Sequence, residues 1–188
     1  MVYVFLAEGF EEIEALTPVD LMRRAGLEVG LAGVGGLEIT GSHGISVKAD
    51  LLAEEADMAQ AEAIVLPGGM PGTTNLKEDE NVRKAVQEAY DDGRYVAAIC
   101  AAPTILADMG LLKGKRATCY PDMESEIEDA YLTGAPVATD ENIITSQGVG
   151  TAIDFALKLI EALISEEKAV EIADSIAVSY THLTLPTT

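Results

Sequence analysis

The sequence predicts a single α/β domain built on a parallel β-sheet. Short apolar segments such as Val2–Leu6 and Tyr95–Ile99 recur along the chain, and helical patterns separate them. Of the 188 residues, 48% are hydrophobic, which is enough for one packed core. Strands that are apolar throughout are typical of sheets covered by helices on both faces, and strands that alternate with helices form parallel βαβ units. We therefore expect a doubly wound α/β fold.

The first half of the chain alternates strands with helices. After the strand at 2–6, the segment EGFEEIEALTPVDLMRRAG carries a helical stripe that Pro18 interrupts, and Gly26 lies where a helix C-terminal cap belongs. The remaining predicted elements here are a strand at 27–32, a glycine-rich turn and hairpin at 33–47, a helical connection at 50–61, a strand at 63–66 and the turn PGGMPG.

The second half continues the alternation. Val82, Val86 and Ala89 predict an amphipathic helix over 81–90, which Gly93 ends. The strand at 95–99 leads into a helix over 101–109 with Pro103 in its first turn. The remaining predictions are a strand at 116–120, a helical turn at 125–130, strands at 137–139 and 143–145, and helices beginning at 153 and 166.

Composition excludes several classes of function. The formal net charge of −20 disfavours nucleic acid and anionic membranes, because phosphate binding depends on Lys and Arg. The two cysteines are too few for a disulfide framework, and no metal-ligand spacing is present, so we expect no cofactor and no metal. The chain shows neither a basic leader nor an apolar run of about 18 residues, so we expect a cytoplasmic protein.

The last ten residues, SYTHLTLPTT, differ from the rest of the chain. They contain four threonines and no acidic residue in an otherwise acidic sequence. We therefore expect residues 1–177 to form the domain and residues 178–188 to be a non-native tail, such as a cloning or read-through scar. A chain that ends near Ala177 should then have the melting temperature of the full one.

Cys100 lies at the junction between the strand at 95–99 and the following helix. A thiol on such a turn, beside free N–H groups and a helix N-terminus, is expected to have its pKa lowered to roughly 3.5–7.5, which would make it a nucleophile near neutral pH. The alternative is a cysteine that only packs in the core.

Two further segments are expected at the same edge of the sheet, because ligands of open α/β sheets bind at the carboxyl ends of strands. The N–H groups of Gly68 and Gly69 are candidate donors to an oxyanion, and Glu14 is a candidate proton carrier whose pKa burial would raise. The alternatives are a plain turn after the strand and solvated acids on a helix surface. Together the three segments supply the parts of a covalent active site.

Four ordered motifs resemble the ThiJ/PfpI superfamily, in the branch of small homodimeric proteins that includes a Parkinson-disease-associated deglycase. These are LAEGFEEIEALTPVDLMRRAG, VLPGG, AAICAAP and ITSQGVGTAIDFAL. The resemblance implies a flavodoxin-like three-layer α/β/α sandwich with a mostly parallel sheet, as in class I glutamine amidotransferases, and a homodimer. It also implies that Cys100 is the nucleophile, that Glu14 hydrogen-bonds its sulfur and that Gly68 and Gly69 are oxyanion donors.

The sequence departs from the family pattern at several positions. Ala101 stands where the peptidase members have a histidine, and no His-x-Glu pair follows late in the chain, so peptidase or amidase chemistry lacks a base. Tyr120 stands where some members have a pocket histidine, and Val149 replaces a proline. Ala101 and His43 are candidate substrate-binding residues, although His43 also fits a simple surface hairpin.

The resemblance implies a glutathione-independent glyoxalase or protein deglycase that acts on methylglyoxal, glyoxal or glycated proteins, a hydro-lyase of the glyoxalase III type. A non-enzymatic thiol redox sensor or stress-response chaperone is the alternative, and a cysteine hydrolase is the third interpretation. Cys119 is predicted to be a structural cysteine within a strand.

Overall fold

The computed structural model describes residues 1–178. The predicted tail therefore lies outside the described residues, apart from Val178. The strands, in chain order, are β1 Val2–Leu6, β2 Val29–Gly33, β3 Glu38–Thr40, β4 Ser46–Lys48, β5 Leu51–Leu52, β6 Ala63–Leu66, β7 Tyr95–Ile99, β8 Arg116–Ala117, β9 Tyr131–Leu132, β10 Val137–Asp140 and β11 Ile143–Ser146. The α-helices are α1 Glu12–Arg24, α2 Gly72–Glu78, α3 Glu80–Asp91, α4 Pro103–Asp108, α5 Ala152–Leu163 and α6 Glu166–Ser175.

A seven-stranded sheet forms the centre of the fold, in the order β10-β11-β7-β6-β1-β2-β5. All neighbouring pairs are parallel except β10 with β11, which form an antiparallel hairpin. The chain crosses from β1 to β2 on one side and later returns to β6 on the other side of β1. This reversal opens a crevice at the carboxyl ends of β1 and β6, where open α/β sheets bind their ligands.

Two hydrophobic cores cover the two faces of the sheet. One core joins the sheet to α1, α5 and α6 and includes the fully buried Met22, Phe155 and Ile160. The other joins the sheet to α3 and α4 and includes Val86 and Ile105. Burying a side chain of this size contributes about 1.5–3 kcal/mol. Because helices pack on both faces of the sheet, the predicted three-layer α/β/α sandwich is confirmed.

Several sequence-based boundaries are wrong. Residues 50–61 contain the edge strand β5 and two 3₁₀ turns instead of one helical connection, and α2 was not predicted. The strand expected over 116–120 is only β8, which pairs with β9 in a separate small sheet. The helical turn expected at 125–130 lies earlier, as a 3₁₀ helix over Pro121–Glu126.

Pro18 lies inside α1 and does not interrupt it. Proline removes one hydrogen bond of the helical ladder, here the one to the carbonyl of Glu14. The neighbours Ala15, Val19 and Met22 are buried against the sheet and α5, and this packing keeps the helix continuous. Within residues 1–178 no helix combines the length and apolar character needed to cross a membrane.

Candidate active site

Cys100 occupies the sharp turn between β7 and α4. Its φ of 65° lies in the left-handed region, which costs an L-residue other than glycine about 1–2 kcal/mol. Hydrogen bonds hold the turn on both sides: the N–H of Cys100 donates to the carbonyl of Ser146 at 3.0 Å, and the N–H of Tyr120 donates to the carbonyl of Cys100 at 2.9 Å. The thiol is half-buried and therefore remains accessible from the crevice.

Glu14 reaches the thiol from the first turn of α1. Its side chain is fully buried, and Oε2 accepts a hydrogen bond from the N–H of Gly68 at 2.9 Å. Oε1 has no hydrogen-bond partner among the residues that the structure describes. A Cβ atom on Gly148 would lie 3.7 Å from this oxygen and 3.8 Å from the sulfur of Cys100, so both atoms border the same space.

Burial raises the pKa of Glu14 to about 7. Interactions with the Cys100 thiol and with the N–H groups of Gly68 and Val149 lower this pKa, while the negative charge of Glu11 raises it further. Glu14 therefore changes its protonation state near neutral pH, which suits a group that both accepts and donates protons.

The expected lowering of the Cys100 pKa is wrong. Burial, followed by the charge of Glu14 and the closeness of its carboxylate to the thiol, raises the pKa of Cys100 to about 12. The N–H groups of Ala101 and Gly69 lower this pKa but do not outweigh those effects. The following helix, Pro103–Asp108, is only six residues long and adds little dipole. The thiol therefore does not ionise readily at neutral pH.

The two predicted glycine donors have different partners. The N–H of Gly68 is occupied by Glu14, and a Cβ atom at Gly68 would lie 2.6 Å from both that carboxylate and the Cβ atom of Cys100. The N–H groups of Gly69 and Ala101 instead face the sulfur. Gly68 thus positions the acid, and Gly69 and Ala101 are the donors nearest to the sulfur.

A cavity of about 450 Å³ opens onto the sulfur. Mainly apolar groups form its walls, with Tyr120 and Val149 partly exposed above the thiol. Its lining residues are Glu11, Glu14, Gly69, Cys100, Tyr120, Pro121, Gln147, Gly148, Val149, Gly150 and Thr151. Glu11 was not singled out from the sequence, although it directly precedes α1 in the segment that follows β1.

His43 lies outside this cavity. It occupies the exposed turn between β3 and β4, and its Nδ1 is 3.0 Å from Oε2 of the buried Glu12. Glu12 also accepts the N–H groups of His43 at 2.8 Å and Ile45 at 3.4 Å. Glu11, Glu12 and His43 each bring a potential ligand atom within 4.8 Å of the others, but Glu12 is engaged in fixing the hairpin.

Cys119 is buried, as predicted, but it follows β8 and is not part of a strand. Its thiol donates to the carbonyl of Tyr120 at 3.3 Å, and burial raises its pKa to about 11. It belongs to the core beneath α4, on the opposite face of the sheet from the core that Cys100 contacts.

Comparisons with known proteins agree with this fold. The chain is 38% identical over 180 residues to protein dj-1beta of Drosophila melanogaster, covering 94% of this chain and 96% of that protein. The crystal structure of Drosophila DJ-1beta superposes with a TM-score of 0.91, at 37% identity, and covers 95% of this chain and 98% of that one.

A deglycase of Thermococcus kodakarensis is 33% identical over 168 residues, covering 86% of this chain and 98% of that protein. A structure of oxidized Toxoplasma gondii DJ-1 superposes with a TM-score of 0.90, at 36% identity, and covers 95% of this chain and 98% of that one. The model of the DJ-1/PfpI family matches residues 1–162. The chain therefore belongs to the DJ-1/PfpI family.

Proposed function

We propose that this protein is a glutathione-independent glyoxalase that converts methylglyoxal to lactate, or glyoxal to glycolate, with Cys100 as nucleophile. The observation that carries the proposal is the pairing of a protonated thiol with a buried carboxyl whose pKa is about 7. Such a carboxyl can remove the proton from a thiol that does not ionise on its own. The open cavity above the sulfur has room for a small aldehyde.

In the first step the sulfur of Cys100 adds to the aldehyde carbon. As the S–C bond forms, ionised Glu14 takes the thiol proton and then delivers it to the oxygen of the former carbonyl. The product is a hemithioacetal, and the N–H groups of Gly69 and Ala101, which are nearest to the sulfur, hold its oxygen.

In the second step Glu14 removes the proton from the carbon bonded to sulfur and returns it to the neighbouring carbon, while the hydroxyl proton of the hemithioacetal moves to the neighbouring carbonyl oxygen. The first carbon is oxidised to a thioester and the second is reduced to an alcohol, so the electrons balance within the substrate. Water then cleaves the thioester, which releases the hydroxy acid and restores the thiol of Cys100.

The same groups could remove a glyoxal unit from a glycated side chain, because sulfur can attack the carbon of an early adduct and expel the amine. The similarity to the Thermococcus kodakarensis deglycase supports this related activity. Kinetics must separate it from the removal of free aldehyde, which also lowers the amount of adduct.

The direct test is lactate formation from methylglyoxal without glutathione, by the wild type and by Cys100→Ala and Glu14→Gln. We expect turnover by the wild type and a loss of at least about 100-fold in either variant, since each removes one member of the pair. A Cys119→Ser variant is the matched control and should retain activity. Stoichiometric adduct formation without turnover would contradict the proposal.

The rate should also depend on pH through Glu14. Burial raises the pKa of this carboxyl to about 7, and only its ionised form can accept the thiol proton. We therefore expect kcat/KM to rise with pH and to level off above about 7. A profile that is flat over about pH 5.5–8 would exclude Glu14 as the base.

A second candidate function is that of a thiol redox sensor. Cys100 is the cysteine that borders the cavity, and a protonated Glu14 can donate a hydrogen bond to an oxygen added to the sulfur. Two equivalents of peroxide would oxidise the thiol to a sulfinate and be reduced to water. The oxidized Toxoplasma gondii relative supports this candidate. Mass spectrometry after mild peroxide should then show two oxygens on Cys100, and earlier oxidation of Cys119 would contradict it.

We propose that the protein forms a homodimer. Ile13, Ile45 and Ile153 are 49%, 54% and 40% exposed, and they come from α1, the β3–β4 turn and α5 to line one apolar groove. Isolated exposed apolar residues are ordinary, whereas such a contiguous set is typical of interfaces. The expectations of a cytoplasmic location and of no nucleic-acid or membrane partner remain predictions.

A further inference from the structure

Two carboxyl groups border the cavity above Cys100, and the exposed His43 lies outside it with its Nδ1 at 3.5 Å from Oε2 of Glu11. Glu11 and Glu14 line it, and no Lys, Arg or His is among its lining residues in the described chain. The backbone N–H of Glu11 donates to the carbonyl of Gly68 at 2.8 Å, which fixes Glu11 beside the glycine segment. Its side chain is only 14% exposed, so its charge is less screened than that of an ordinary surface carboxylate.

Glu14 adds an independent observation. Its Oε1 is buried, lacks a hydrogen-bond partner among the described residues, and borders the space next to the sulfur. A ligand that brings an O–H or N–H group can donate to this oxygen, whereas a carboxylate ligand would place two negative oxygens against it. Both acids therefore favour the same ligands, namely those with donors and without negative charge.

We propose that Glu11 makes the cavity charge-selective, so that it admits neutral and cationic carbonyl compounds and their amine adducts and excludes anionic ones such as 2-oxo acids. This inference rests on the proposed function for its substrates, but the charge selection itself is a property of the cavity.

The test uses the rate at which Cys100 is alkylated and needs no turnover. Iodoacetamide, iodoacetate and 2-bromoethylammonium are small neutral, anionic and cationic probes. Their second-order rate constants are measured by mass spectrometry of the peptide that contains Cys100 and are divided by those for 2-mercaptoethanol. The proteins compared are the wild type, Glu11→Gln and Glu88→Gln.

Glu88→Gln is the matched control for the overall charge of the chain. It removes one negative charge from α3, at a partly buried position that lines a different cavity. Any difference between the two variants therefore reports the position of the charge and not the net charge of the protein.

We expect the normalised rate constant for iodoacetamide to exceed that for iodoacetate about tenfold in the wild type and in Glu88→Gln. In Glu11→Gln this ratio should fall to about threefold, because a carboxylate a few ångströms from a charged probe has an effect of this order. The cationic probe should be favoured over iodoacetate by a larger factor, which Glu11→Gln also reduces. High salt should weaken the preference in the wild type.

Equal normalised rates for the three probes in the wild type would overturn the inference, and so would the same preference in Glu11→Gln as in Glu88→Gln. The proposed function fails separately: absence of lactate formation with charge-selective alkylation would refute the glyoxalase and leave the selectivity in place. Turnover with unselective alkylation would refute only the selectivity.

Discussion

Glu14 combines two properties that oppose each other. Its buried position makes ionisation costly, yet its proposed role requires the ionised form at neutral pH. Active sites commonly contain such groups, because a carboxyl whose pKa burial raises to about 7 can exchange protons near neutral pH. The site should therefore be less stable than an uncharged version of itself.

Replacing Glu14 with glutamine tests this expectation. A folded-state pKa of about 7, above the ordinary value of 4.5, means that the contribution of Glu14 to stability is greatest at low pH and is lost as the pH rises through about 7. Ionisation of Glu14 in the folded protein lowers the free energy of unfolding by about 3 kcal/mol. Glu14→Gln should therefore raise the melting temperature at pH 8 by about 5–10 °C.

The difference between the two proteins should shrink toward pH 5, where Glu14 is protonated in the folded chain and only partly ionised in the unfolded chain. Thermal unfolding at the two pH values checks this. The same gain in stability at both values would show that packing, and not ionisation, distinguishes the variant from the wild type.

The same substitution should make the Cys100 thiol more acidic. Burial and the charge of Glu14 raise the pKa of Cys100 to about 12, and glutamine removes the charge while retaining most of the burial. The ultraviolet absorbance of the thiolate, followed against pH in a Cys119→Ser background, should show a lower pKa than in the same background with Glu14 intact. An unchanged pKa would mean that burial alone keeps the thiol protonated.

At the scale of secondary structure, the apolar strands and the long amphipathic helices were predictable from the sequence. The segments Val2–Leu6, Ala63–Leu66 and Tyr95–Ile99 coincide with strands because a run of charge-free apolar residues can be buried on both faces of a sheet. The short β5 was not predictable, since only two residues pair with β2 and the pairing depends on tertiary contacts.

The candidate site was predictable in part. Chain order and the carboxyl ends of parallel strands bring Glu14, Gly68 and Cys100 together, as expected. The direction of the thiol's pKa shift was not predictable, because it depends on how deeply Glu14 and Cys100 are buried together. The placement of His43 on Glu12, 31 residues away, likewise depends on the docking of the hairpin.

The β3–β4 hairpin is expected to depend on Glu12. Burial raises the pKa of this carboxyl, but hydrogen bonds that include those from His43 and Ile45 outweigh burial and lower it overall. Glu12→Ala leaves those N–H groups without their acceptor, which costs about 1–3 kcal/mol locally.

Amide hydrogen exchange at residues 38–48 should therefore accelerate in Glu12→Ala, while exchange in β7 should not change. Glu54→Ala, which alters an exposed acid in the 3₁₀ turn after β5, is the control. Uniform acceleration throughout the sheet would indicate that Glu12 stabilises the whole fold and not the hairpin alone.

At the scale of the whole molecule, the apolar groove between α1, the hairpin and α5 predicts self-association. Ile153→Glu places a charge in this groove, where burial against a second copy would be costly. Sedimentation should give about twice the 19.8 kDa chain mass for the wild type and the mass of one chain for the variant.

Ile164→Glu is the matched control for this experiment. Ile164 is 42% exposed, close to the 40% of Ile153, but it does not line the groove. The Ile164→Glu variant should therefore sediment with the mass of the wild type. A wild type that sediments as a single chain would contradict the proposed dimer.

The surroundings of Cys100 come from segments far apart in the chain, including Glu14, Gly69 and Gly148. None of these neighbours is in place before the sheet has formed, so in an unfolded chain Cys100 is a solvated thiol with an ordinary pKa of about 8.5. At mildly alkaline pH a neutral alkylating reagent should therefore modify unfolded molecules faster than native ones. The residue proposed as the nucleophile thus also serves as an intrinsic chemical reporter of how much of a sample is folded.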